Sequence, residues 1–77
     1  MKNAILNMLQ ELRPEFNFVE SEDYIEDGLL DSFDIISLTS MLEETYGISI
    51  DGLDIVPENF VSAEAIEALI IKTKEKA

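Results

Sequence analysis

The run Gly28-Leu29-Leu30-Asp31-Ser32-Phe33-Asp34, together with Gly47, brackets a segment whose start and stop are both written in local sequence. Asp31 is a good helix N-cap, and Asp34 three residues later stands in the capping-box position. Gly47 supplies a C-terminal cap, because glycine takes the left-handed conformation that ends a helix without a Cβ penalty. Between them, Phe33, Ile36 and Tyr46 fall on or near one stripe with Leu38, Met41 and Leu42 beside it, which predicts a helix over 32–46. With the cap already provided by Asp31, Ser32 falls on the first helical position. Its hydroxyl is not required by a backbone donor, points outward from the helix end, and is open to modification.

The remaining segments follow from the same punctuation. Over residues 3–13, Ile5, Met8, Leu9 and Leu12 recur at helical spacing, Ala4 and Leu6 widen the stripe, and Pro14 ends the run. Glu15 to Gly28 form a long connection with no clear period, in which Phe16, Phe18 and Ile25 are expected to anchor the loop to the core. Ile48 and Ile50 are read as loop, since so short a strand has nothing to pair with. Pro57 to Val61 are expected to form a short third helix. Ser62 caps a last helix from Ala63 to about Glu75, with Ile66, Leu69 and Ile70 facing inward, Glu64 at its N-terminal end and Lys72, Lys74 and Lys76 at its C-terminal end. The expected fold is all-α: a single domain over 1–77, a four-helix bundle of three long helices and one short one, with a long first loop.

Composition narrows the function. A chain of 77 residues is one small domain that buries only about 60% of its unfolded surface, and an apolar content of 47% lets it fold despite a net charge of −12. It contains neither cysteine nor histidine, so disulfides, thiolates and the usual general base are missing, and the chain reads as a non-enzyme. From Pro14 to Ile71 there is no lysine or arginine, while all of the 17 acids except Glu11 and Glu75 lie in that span. Such a surface repels nucleic acid and steers towards basic partners. The opening Met1-Lys2-Asn3 does not begin a signal peptide and no apolar run reaches membrane-spanning length, so the expectation is a cytoplasmic monomer without membrane insertion.

The helix order and the serine at the head of the second helix resemble the acyl carrier protein family over essentially the whole chain. The family's hallmark there is Asp-Ser-Leu; Asp31-Ser32-Phe33-Asp34 keeps the Asp, the Ser and a second Asp, with Phe33 replacing leucine. Leu38, Leu42, Glu43-Glu44 and Tyr46 before Gly47-Ile48 also fall where that pattern puts them. The resemblance implies that Ser32 carries 4′-phosphopantetheine, taken from coenzyme A and linked by a phosphodiester, whose thiol holds an acyl group as a thioester. It further implies that Asp31, Phe33 and Asp34 are recognised by a phosphopantetheinyl transferase. Glu43 and Glu44 would dock acyl-loading and acyl-consuming enzymes through their basic surfaces. Ser37 and Ser40 depart from the fatty-acid type, and Gly28-Leu29-Leu30-Asp31-Ser32-Phe33 is similar to D-alanyl carrier proteins and other free-standing carriers. The cargo is therefore open between acyl and aminoacyl.

Two readings of other classes compete. Asp23 to Asp34 has the length of a calcium-binding loop with Gly28 at its sixth place, but Ile25 stands at the third and Asp34 replaces the bidentate glutamate at the last. A bare acidic helical module that binds basic partners without a prosthetic group explains the charge but not Asp31-Ser32.

Overall fold

Pro14 fixes where the first helix stops. Arg13, the residue before it, is out of helical geometry at φ −135° and ψ 78°, and its N–H donates to the Leu9 carbonyl at 2.9 Å. The computed structural model describes residues 1–76, in which α1 covers Lys2–Leu12, α2 Ser32–Tyr46 and α3 Ala63–Lys76. No strand occurs among the described residues, so the fold is an all-helical bundle.

The first and last helices bury the stripes their sequences provide. α1 turns Ile5, Met8 and Leu9 inward, and α3 turns Ala63, Ile66, Leu69, Ile70 and Thr73 inward. With Phe18, Phe60, Leu38 and Leu42 they form one core. The buried Thr39 and Thr73 hydroxyls donate to the carbonyls of Ile35 and Leu69 one turn back, at 2.7 and 2.8 Å, so neither is left unpaired.

The short helix expected at Pro57–Val61 is a single 3₁₀ turn, Pro57–Phe60, preceded by another at Gly52–Asp54. Among the described residues the bundle thus has three α-helices. Pro57 opens that turn, and fully buried Phe60 pins it before a second helical turn can form.

The long first loop is tied down by its own side chains. Phe18 is buried as expected, but Tyr24, which sequence reading did not single out as an anchor, organises the segment. Its N–H donates to the Val61 carbonyl at 2.7 Å, and its own carbonyl accepts from Leu29 and Leu30. Its hydroxyl accepts from the Ala63 N–H at 3.1 Å, joining the loop to the start of α3. Burial raises the Tyr24 phenol above its ordinary pKa. Phe18 stacks edge-on against the Tyr24 ring with centroids 5.1 Å apart.

Candidate functional site at the start of the second helix

Leu30 is buried and Gly28, at φ +74°, turns the chain into it; the loop therefore delivers Asp31 and Ser32 from a fastened approach. Asp31 is extended, at φ −112° and ψ −177°, and accepts a hydrogen bond at 2.9 Å from the Asp34 N–H. The Asp34 carboxylate in turn accepts from the Asp31 N–H at 3.2 Å, which completes a reciprocal capping box.

Asp34 is only 4% exposed, and a carboxylate that buried requires a counter-charge. Arg13 provides it from the end of α1. Its Nε lies 3.1 and 3.0 Å from the two Asp34 oxygens and its Nη2 2.9 Å from Oδ2. The same guanidinium reaches Asp31 at 3.6 Å and Glu15 at 3.4 Å. The Asp34 hydrogen bond is the chief reason the Arg13 pKa is raised. The Asp31 carboxyl is held below the usual range, first by the Asp34 N–H, with partial desolvation opposing and Arg13 assisting.

The cap donors are thus engaged by Asp31 and Asp34, and Ser32 stands exposed at the first position of α2. Its hydroxyl makes no hydrogen bond among the described residues. Beside it Phe33 is 77% and Ile36 63% exposed, which corrects the sequence reading that put both on the inward stripe. The inward face is Asp34, Ile35, Leu38, Thr39 and Leu42. Asp34, paired with Arg13, takes an inward place that a purely apolar count gives to Phe33, and this rotates the helix. Sequence reading missed Arg13; the available signal was the one base that immediately precedes a base-free span.

Glu43 and Glu44 lie three turns further along, about 17 Å from Ser32 by helical rise. Glu43 is half-buried and its carboxylate accepts from the Ile50 N–H at 2.9 Å, bracing the chain after Gly47. Glu44 is exposed and unpaired among the described residues, on the same outward strip as Phe33, Ser37 and Ser40.

Apart from Asp31 and Asp34, which share Arg13, the acids of the Asp23–Asp34 window do not converge. Asp23 accepts from the Ile25 and Glu26 N–H groups, Asp27 from the Ser21 hydroxyl, and Asp34 from Arg13. Among the described residues no cluster of three or more acidic, histidine or cysteine side chains is arranged to hold a metal ion. At the far end of α2 a cleft of about 650 Å³ is lined by Tyr46, Ile48, Asp54, Thr73 and Lys74. No helix among the described residues is long and apolar enough to cross a membrane.

Comparison of the chain with protein-family models, with curated proteins and with solved structures finds no match in any of the three. Chemically, the site presents one unengaged hydroxyl at a helix N-terminus, where the helix dipole favours a negatively charged ester by about 0.3–1 kcal/mol and the Asp31 and Asp34 carboxylates oppose it in part. Two exposed apolar side chains, Phe33 and Ile36, lie in the turn that follows.

Proposed function

We propose that this protein is a carrier whose Ser32 is esterified by 4′-phosphopantetheine, and that it presents a thioester-bound acyl group to partner enzymes. In the modification, Ser32 Oγ forms a bond to the phosphorus of coenzyme A that bears the pantetheine arm. The pyrophosphate P–O bond breaks, 3′,5′-ADP leaves, and the hydroxyl proton passes to the transferase. The chain supplies the acceptor oxygen and its placement, and the arm supplies the thiol that a sequence without cysteine lacks.

The observation that carries this reading is the division of labour at the start of α2: Asp31 and Asp34 cap the helix, which leaves the adjacent serine exposed with its hydroxyl free. Phe33 and Ile36 beside it, within a surface that bears no base from Pro14 to Ile71, suit a partner with an apolar seat and a basic rim. Ser37 and Ser40 on the same strip favour specialised cargo, an aminoacyl group included, over the general fatty-acid machinery.

Incubation with coenzyme A, Mg²⁺ and a broadly acting phosphopantetheinyl transferase should add one phosphopantetheinyl mass to the intact protein, and Ser32→Ala should abolish the addition. An intact mass that never shifts leaves the acidic interaction module as the better account. Parallel loading with a fatty acyl ligase and an amino-acid-activating enzyme then separates the cargo classes.

A further inference from the structure

Arg13 lies outside the segment that bears Ser32, yet it is the base that reaches the α2 cap. Pro14 puts it there, because the residue before a proline leaves the helix and its side chain no longer follows the α1 surface. The guanidinium then spans to both oxygens of Asp34, 21 positions later in the chain. Asp34 serves Arg13 and the Asp31 N–H at once. The turn that begins with Ser32 therefore hangs on a buried carboxylate whose charge is balanced from another helix.

We infer that Arg13 is a positioning residue for the modification of Ser32, acting through Asp34 and the capping box, an inference that rests on the carrier reading. Without the guanidinium, Asp34 is a buried carboxylate with no cation, 4% exposed and close to a second acid, Asp31. It escapes that state by swinging out towards water, and that movement weakens the bond it accepts from the Asp31 N–H. The first turn of α2 then frays, and Ser32 Oγ samples many orientations where the transferase requires one. Lysine retains the charge but not the two-pronged geometry, so it replaces Arg13 only in part.

The test combines amide hydrogen exchange with modification kinetics on the full chain, using coenzyme A, Mg²⁺ and a phosphopantetheinyl transferase. In Arg13→Gln, exchange at Asp34 and Ile35 should rise about tenfold or more relative to Ala65 and Ile66 at the start of α3. The kcat for Ser32 modification should fall by a similar factor of about ten with KM little changed. Arg13→Lys should lie between Arg13→Gln and wild type. The double variant Arg13→Gln/Asp34→Asn leaves no buried charge unpaired, and should lose less than Arg13→Gln alone; it also keeps the test open if the single variant does not fold. Unchanged kcat in both Arg13 variants overturns the inference. So does a loss confined to KM with undisturbed exchange at Asp34 and Ile35, which makes Arg13 a transferase contact. Wild-type protein that takes up no phosphopantetheine rejects the carrier reading itself, before any variant is compared.

Discussion

Two serines stand at helix starts in this protein, and their hydroxyls meet different fates. Ser62 caps α3 directly: its Oγ accepts from the Ala65 N–H at 3.1 Å, and its carbonyl takes the Ile66 N–H. Ser32 follows a cap already made by Asp31 and Asp34, and its oxygen has nothing to hold. The fastenings differ in kind as well. The start of α3 is tied by the Tyr24 hydroxyl and by an exposed pair between Lys2 and Glu64, whereas the start of α2 is tied by the partly exposed Arg13 guanidinium forked onto the buried Asp34 carboxylate. One residue type at similar positions is thus structural in one place and available for chemistry in the other. What decides is whether a neighbour has taken the capping role.

The Arg13–Asp34 fork should separate the two starts most strongly. Asp34→Ala removes half of the capping box and the buried partner of Arg13, which keeps only Glu15 and Asp31 at 3.4 and 3.6 Å. It should cost about 2 kcal/mol in chemical denaturation, below the range for a fully buried pair because Arg13 is one-third exposed. Glu64→Ala removes an exposed pair and should leave the melting temperature unchanged. Equal losses from the two would erase the distinction.

The serines themselves come next. Ser62→Ala should lower stability by about 1 kcal/mol while leaving modification intact. Ser32→Ala should leave the denaturation midpoint where it is. A stability loss in Ser32→Ala comparable to that in Ser62→Ala would mean that Ser32 is capping after all.

The smallest expected effect is on pH. Asp31 titrates lower in the folded protein than in the unfolded chain, so around pH 4 the unfolded state binds more protons and acid favours unfolding. Its contribution is present above the unfolded value near about 3.9 and fades as pH falls through the folded one. The groups that face it are the Asp34 and Phe33 N–H groups, the Asp34 carboxyl and Arg13. The stability difference between wild type and Asp31→Asn should accordingly be largest above about pH 4.5 and shrink as pH falls below the ordinary carboxylate range. A difference that is constant across that window would show that Asp31 caps equally well when protonated.

Local chemistry was legible in the sequence and distant pairing was not. Pro14, Gly47, the Asp31–Asp34 box and the Ser62 cap are each decided within a few residues, and the structure has all four. Arg13–Asp34, Tyr24–Ala63 and Glu43–Ile50 join residues 21, 39 and 7 apart, with no periodic signal to announce them. The outward turn of Phe33 and Ile36 follows from the first of these, since an apolar stripe drawn without Arg13 has no reason to seat Asp34 inside. The Pro57–Phe60 segment stays a 3₁₀ turn because Phe60 is drawn into the core.

The claim at the centre of this account is that an independent cap frees one serine for esterification. Peptide mapping of protein treated with coenzyme A, Mg²⁺ and a phosphopantetheinyl transferase tests it most directly, because one sample contains both helix-start serines and the exposed Ser40. The added phosphopantetheinyl mass should fall on the peptide bearing Ser32, with fragment ions that place it on that residue and with Ser62 unmodified. Modification at Ser62 or Ser40, or none on any serine, would contradict it.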